Sequence, residues 1–333
     1  MTLKKFLGIF LVLWGASTLY AQKALNVEKV SITVSDLEVA VPFYTELLDF
    51  DKVDTYTLQG NDFLQLFGLN DNKTSALVQV LQLGNAQIEL IEFVDENRRL
   101  PIPDDSKSND GWFQHIAIVV SDMEAAYQKL FEHNVNHVST RPQTLPDYIP
   151  GAAGIKAFYF KDPDGHNLEI IYFPKGKGNP IWQEGTQDLF LGIDHTAIGI
   201  EQTQLALPLY TDILGLKVAG TSNNYGYEQE HLNQVFGANL IISGLRAEKG
   251  IGVEFLDYIA PLGGRPYPDD SKVTDLWHWH TTIFVDNLGE INKKLQETNY
   301  KLISKGIVHI KNTDQLLFRD TDGHAILLKE SIK

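Results

Sequence analysis

The chain has 333 residues, 43% of them hydrophobic, and carries 28 Lys+Arg against 43 Asp+Glu for a formal net charge of −15. That length suits two ordinary domains, the apolar content is too high for a disordered chain, and the negative balance argues against a nucleic-acid backbone as partner. There is no Cys, which excludes disulfides, thiolate ligands and lipid attachment through Cys, so any metal site must be built from His, Asp or Glu.

At the N-terminus, Lys4 and Lys5 precede an apolar run from Phe6 to Tyr20, followed by Ala21-Gln22. A basic start, an apolar stretch and a small residue at the cut describe a secretory signal peptide. The run is short for a membrane span of about 20 residues, so cleavage near Ala21 is favoured over a retained anchor. The expected product is periplasmic or secreted and free of the membrane. No later apolar stretch approaches spanning length.

Internal repetition organises the rest. Pro42-Phe43-Tyr44-Thr45-Glu46-Leu47-Leu48 returns as Pro208-Leu209-Tyr210-Thr211-Asp212-Ile213-Leu214, and Pro101-Ile102-Pro103-Asp104-Asp105-Ser106-Lys107 as Pro266-Tyr267-Pro268-Asp269-Asp270-Ser271-Lys272. Asp162-Pro163-Asp164-Gly165-His166 returns as Asp320-Thr321-Asp322-Gly323-His324. The order is constant, so one domain has been duplicated. The halves are residues 27–175 and 190–330, joined by a linker over 176–189 with loop chemistry in Gly-Lys-Gly-Asn-Pro.

Each half divides again. Val30–Ser35 and Ile116–Ser121 are strand-like, and Ser-Asp after each is a helix N-cap signal. Amphipathic helices over Leu37–Leu48 and Met123–His133 follow. Strands over Leu77–Leu83 and Gln87–Phe93 flank Gly84-Asn85; strands over Ala157–Phe160 and Asn167–Phe173 flank Asp162–Gly165. The plan recurs from His195 and from His280. The predicted unit is β-α-β-β-β, four times over, in an α+β fold. Alternation puts His115, Ala117 and Val119 on one strand face and Ile116, Ile118 and Val120 on the helix-packed face.

The stretches Phe113–Leu130 and Phe158–Phe173, above all Asp-Pro-Asp-Gly-His-x-Leu-Glu, resemble a module of the vicinal-oxygen-chelate superfamily, the group of glyoxalase, bleomycin-resistance and extradiol-dioxygenase proteins. The resemblance covers essentially all of the chain after residue 26. It implies two tandem domains with cupped mixed sheets, each cup enclosing a divalent-metal site open to a small-molecule substrate. It also implies two ligand positions per module, one early on the first strand and one on the last.

Those positions read Lys29, Glu89, His115 and Glu169 in the first half, and His195, Glu254, His280 and Leu327 in the second. Pairing modules within each half predicts one site from Glu89, His115 and Glu169 with Lys29 beside them, and another from His195, Glu254 and His280. Neutral imidazole and carboxylate suit Fe²⁺, Mn²⁺, Zn²⁺ or Ni²⁺. A lysine ammonium has only donors and cannot ligate; Lys29 either polarises a substrate oxygen or closes its site with a salt bridge. Leu327 removes one expected carboxylate. Glu254 and Glu169 are the candidate general bases. His166 and His324, after turn glycines, read as turn or surface residues. The implied activity is metal-dependent lyase, isomerase or dioxygenase chemistry on an oxygen-rich small molecule. The alternative is a protein that sequesters a ligand without catalysis.

Overall fold

The structure, a computed structural model, describes residues 23–94, 99–185, 187–298 and 300–332. Residues 1–21, read above as a signal peptide, lie outside the described residues.

Four modules follow in chain order. The first holds β1 (Ala24–Thr33), α1 (Leu37–Pro42), β2 (Asp51–Leu58), α2 (Asn61–Leu66), β3 (Ser75–Leu83) and β4 (Ala86–Val94). The second holds β5 (Gln114–Val120), α3 (Met123–Glu132), the short β6 (Asn136–His137) and β7 (Gln143–Thr144), then β8 (Lys156–Lys161) and β9 (Asn167–Tyr172). In the third are β10 (Phe190–Ile200), α4 (Thr203–Pro208), β11 (Lys217–Tyr225), α5 (Tyr227–Asn233), β12 (Asn239–Arg246), β13 (Lys249–Gly250) and β14 (Gly252–Ala260). The fourth has β15 (Trp279–Val285), α6 (Leu288–Glu297), β16 (Val308–Ile310), β17 (Thr313–Arg319) and β18 (Ala325–Ser331).

Local chemistry accounts for the helices. The Asp36 carboxylate accepts from Glu38 N, and Asp122 accepts from Glu124 N and Ala125 N, filling orphan donors of the first turns. The helix expected over Leu37–Leu48 is α-helical only to Pro42 and continues as a π-helical turn over Phe43–Leu47. Pro208 precedes the same change over Leu209–Ile213. Proline forfeits the bond to the residue four before it, and the ladder widens there.

The sheets pair modules differently from the sequence expectation. One nine-stranded sheet runs β16-β17-β18-β15-β1-β4-β3-β2 with β13 also beside β1; the other, likewise of nine strands, runs β11-β12-β14-β10-β5-β9-β8-β6 with β7 also beside β8. The first module therefore pairs with the fourth through antiparallel β1 and β15, and the second with the third through antiparallel β5 and β10. Modules one and four form what is here called the terminal cup, modules two and three the central cup. Each half of the chain gives one module to each cup.

One apolar cluster explains the pairing. Ile116, Ile118 and Val120 of β5, Val30 and Ile32 of β1, Phe255 of β14 and Leu328 of β18 all join it, along with Ala126 and Leu130 of α3 and Ile291 and Leu295 of α6. The helix-facing sides of both sheets thus share a single core. Ala117 and Val119 fall in a separate cluster, as the alternation predicts.

Two buried ties cross between the cups. Tyr44 OH donates to Asp162 Oδ2 at 3.0 Å, and His166 Nδ1 and Nε2 donate to Asp162 Oδ2 at 2.8 Å and to Leu276 O at 2.6 Å. In the repeat, Tyr210 OH donates to Asp320 Oδ2 at 2.8 Å and His324 Nε2 to Gly199 O at 2.7 Å. His166 and His324 are therefore buried cross-links, correcting their reading as turn or surface residues. A carboxylate and a carbonyl can only accept, so His166 is an imidazolium; burial opposes its charge, and the Asp162 carboxylate outweighs it and raises the pKa.

Because each cup needs both halves, a fragment ending near residue 175 or beginning near 190 should not fold as a monomer. Expressed alone, each is expected to be unfolded or dimeric by light scattering, and mixing the two should restore a particle of full-chain mass. A stable monomeric half with native-like circular dichroism would contradict the cross-half pairing.

Candidate metal centre

The strand registers place the central cup's polar residues. Ala117 of β5 pairs with Glu169 of β9 and with His195 of β10, and Ala197 pairs with Glu254 and His115. His115, Glu169, His195 and Glu254 thus project from four neighbouring strands onto one face. His115 Nε2 lies 3.1 Å from Glu169 Oε2, and His195 Nε2 lies 3.7 Å from Glu169 Oε2 and 3.5 Å from Glu254 Oε1. Single ligand atoms of His115, Glu169 and His195 all fall within 4.8 Å of one another.

Both nitrogens of His115 and Nε2 of His195 are buried without a hydrogen-bond partner. Orphaned buried polar atoms are costly and rare. Here they converge with two carboxylates, which is the donor set a divalent cation completes. The residues present fit such an ion.

A polar group behind His195 fixes its ring. Asp194 Oδ2 accepts from His195 Nδ1 at 3.0 Å and from Arg246 Nη2 at 2.6 Å, while Asp194 Oδ1 accepts from Trp182 Nε1 at 2.9 Å. This holds the tautomer that leaves Nε2 free, as outer carboxylates do for ligating histidines. Burial would raise the Asp194 carboxyl, but His195, Arg246 and Trp182 outweigh it and push it down. Burial would likewise lower His195; Glu254, Asp194 and Glu169 raise it to about 9. The surrounding carboxylates favour positive charge at this point, which a proton on His195 or a divalent cation in its place can supply. Glu254 is pushed up by burial, against the pull of His195, with Glu169 adding to the rise. Its side chain is 23% exposed against 5% for Glu169, so Glu254 faces the opening.

The terminal cup has the same registers and different chemistry. Ser31 pairs with Glu89 and His280, Lys29 with Thr282, and Thr282 with Leu327. Lys29, Glu89, His280 and Leu327 therefore occupy the positions of His195, Glu254, His115 and Glu169. This corrects the predicted groupings: His280 and Leu327 do not meet His195 and Glu254, and Lys29 and Glu89 do not meet His115 and Glu169. Lys29 Nζ bonds Glu89 Oε1 at 2.6 Å, Tyr56 OH donates to the same oxygen at 2.6 Å, and Ser31 Oγ donates to Glu89 Oε2 at 2.7 Å. Both oxygens of Glu89 are occupied, and the Lys29 ammonium holds the place of a metal. The rest of this cup is filled by Phe63, Phe67, Phe93, Leu317 and Leu327. Lys29 and Glu89 form a buried ion pair, and the His280 ring packs edge-on against Phe67 at 5.8 Å between centroids.

Asp194, Trp182 and Arg246 were not anticipated from sequence. Asp194 adjoins a ligand position and could have been flagged; Trp182 lies in the linker, where no local pattern signals a role.

Residues 26–170 and 192–328 match the family described as Glyoxalase/Bleomycin resistance protein/Dioxygenase superfamily. Over 157 residues the chain is 32% identical to a 2-epi-5-epi-valiolone epimerase of Actinomyces sp., covering 46% of this chain and 82% of that protein. Over 147 residues it is 28% identical to metallothiol transferase FosB of Staphylococcus epidermidis, covering 44% of this chain and 80% of that protein. Glyoxalase I from Zea mays superposes with a TM-score of 0.61 at 14% identity, over 93% of this chain and 92% of that one, a likeness of fold.

The terminal cup generates an acid-stability prediction. Burial, with Lys329 and Lys29, lowers His280 from 6.5 to about 4 against the pull of Glu89. Burial alone would raise Glu89, but Lys29, Tyr56 and Ser31 bring it from 4.5 to about 2. In both cases the unfolded chain binds the proton more readily, so stability falls as pH drops. The loss is expected between pH 6.5 and 4 through His280 and between 4.5 and 2 through Glu89. Urea midpoints should show it, and Lys29→Met/Glu89→Gln should flatten the lower window while the upper one, set chiefly by burial of His280, persists. A lower window as steep as in the unaltered chain would contradict the assignment.

Proposed function

The chain belongs to the Glyoxalase/Bleomycin resistance protein/Dioxygenase superfamily, and from that premise we propose that its central cup is a divalent-metal site catalysing proton transfer beside a carbonyl on a small oxygen-rich substrate. The observation that carries this reading is the set of orphaned imidazole nitrogens of His115 and His195 facing Glu169 and Glu254. His115, Glu169, His195 and Glu254 would hold the ion, which when bound would supply Lewis acidity toward a substrate oxygen.

Glu254, the carboxylate nearest the opening, takes the proton from the carbon beside the carbonyl. On an α-hydroxy carbonyl the C–H bond breaks, its electron pair forms a carbon–carbon double bond as the carbonyl π pair moves to oxygen, Glu254 returns the proton to the former carbonyl carbon, and the neighbouring hydroxyl passes its proton to the former carbonyl oxygen, which completes an isomerisation. Glu169, enclosed between both histidines, stays in place. Phe113 and Leu256, in the same apolar cluster as Tyr159, keep water from the reacting carbon. Two carboxylates beside two imidazoles favour this over oxygenase chemistry, which uses a set of two histidines and one carboxylate. The resemblance to a protein named as an epimerase points the same way. The Lys29–Glu89 cup is assigned a structural role.

One metal-binding experiment tests the site. His115→Ala should abolish stoichiometric Zn²⁺ uptake, measured by competition with a chelating dye, whereas His280→Ala should retain it. The Zn²⁺-loaded unaltered chain should also exchange the carbon-bound hydrogens of dihydroxyacetone with D₂O. Uptake lost equally in both variants, or kept in both, would contradict the site; uptake without exchange would favour ligand sequestration.

We also infer export from residues 1–21. N-terminal sequencing of the native protein should begin near Gln22, and retention of Met1 would contradict cleavage.

A further inference from the structure

The two cups are copies, so a difference at equivalent positions shows what the fold does not require. After their second strands both cups turn at a glycine with positive φ, Gly60 at 85° and Gly226 at 91°, into a short helix. In the terminal cup, Phe63 and Phe67 at that helix meet Phe93 of β4, with ring centroids 5.2, 6.2 and 5.9 Å apart. Counting from the glycine, Gln229 and Asn233 replace Phe63 and Phe67. Counting from the acidic position, Tyr258 follows Glu254 by the same four residues that separate Phe93 from Glu89.

The polar trio is as buried as the aromatic one, at 1% exposure for Gln229 and Asn233 and 4% for Tyr258. Its members form a directed chain. Asn224 Nδ2 donates to Gln229 Oε1 at 3.1 Å, Gln229 Nε2 donates to Asn233 Oδ1, and Asn233 Nδ2 donates to the Tyr258 hydroxyl oxygen. The hydrogen of that hydroxyl has no acceptor among the described residues. Tyr258 shares an apolar cluster with Leu256, Phe113 and Tyr159, and Tyr159 pairs directly with Glu169. The chain of amides therefore ends on the cup face that carries the metal candidates.

An aromatic plug serves the fold equally well, as the terminal cup demonstrates. Replacing it with three linked polar groups incurs a desolvation cost with no folding return. Successive hydrogen bonds polarise one another, which makes the last hydroxyl a better donor. An apolar ligand part beside it would leave that donor unfilled, at a cost of about 1–3 kcal/mol; a ligand hydroxyl would satisfy it.

We propose that Gln229, Asn233 and Tyr258 form the far half of the substrate site and select a polyhydroxylated small molecule, one whose oxygens continue beyond those at the metal, over a diol with an otherwise hydrocarbon frame. This rests on the central cup being the ligand site. Tyr258 is a specificity residue here, and the amides behind it are positioning residues.

The test uses the full chain, with and without Zn²⁺, titrated calorimetrically with myo-inositol and with cis-cyclohexane-1,2-diol, which share a ring and differ in hydroxyl number. The unaltered protein should prefer myo-inositol. Tyr258→Phe, which copies Phe93, should reduce that preference by about tenfold, the upper worth of one net hydrogen bond, by weakening myo-inositol binding and strengthening cyclohexanediol binding, with Zn²⁺ uptake retained. Gln229→Phe/Asn233→Phe/Tyr258→Phe should reverse the preference; should that variant not fold, the single variant decides. Equal preference in Tyr258→Phe and the unaltered chain, a preference of the unaltered chain for the diol, or binding of neither probe would overturn the proposal. The metal reading fails separately, by absence of Zn²⁺ uptake in the unaltered chain.

Discussion

The antiparallel pairing of first strands, β5 with β10 and β1 with β15, is the constraint on which the rest depends. A single module has one face to bury against helices and another that is only half of a cup. Closing a cup requires a second module, and the chain supplies it from the other half. Both sheets then turn their helix-facing sides inward to one shared apolar core, and the cups face away from it. The Asp162 and Asp320 ties sit in this arrangement, joining turns of one cup to helices and carbonyls of the other.

Duplication left two cups with one geometry and opposite electrostatics. In the central cup, two carboxylates lie beside imidazole nitrogens that lack hydrogen-bond partners, and a third carboxylate stands behind His195. In the terminal cup, an ammonium satisfies the equivalent carboxylate directly and phenylalanines fill the remaining space. Removing one partner from a buried ion pair of this kind costs about 3–5 kcal/mol, so the Lys29–Glu89 pair is fixed once the site no longer takes an ion. On the proposed reading, the fold holds one ligand site and one stabilising copy of it.

Much of this was legible in the residues. Ser-Asp before the helices of the first two modules, the strand alternation at His115–Val120 and the Asp-x-Asp-Gly turns located the modules, and the eight positions singled out fall on first and last strands as expected. What was not legible was which module partners which. The first strands all carry the same alternation, so nothing local distinguishes β10 from β1 as the neighbour of β5. One wrong pairing regrouped His280 with His195 and His115 with Lys29. His166 and His324 were misread for a related reason: alternation is silent about a loop residue whose partner belongs to the other sheet. The Pro42 and Pro208 π-turns were signalled by the prolines themselves, inside an otherwise helical pattern.

The central claim is that one metal site exists and that it is assembled from modules two and three across the halves. Crystals of the full chain grown with Mn²⁺ and measured by anomalous diffraction test it most directly. The account predicts a single strong peak per chain, enclosed by His115, Glu169, His195 and Glu254. A peak beside His280 and Glu89, or no peak in either cup at saturating Mn²⁺, would contradict it.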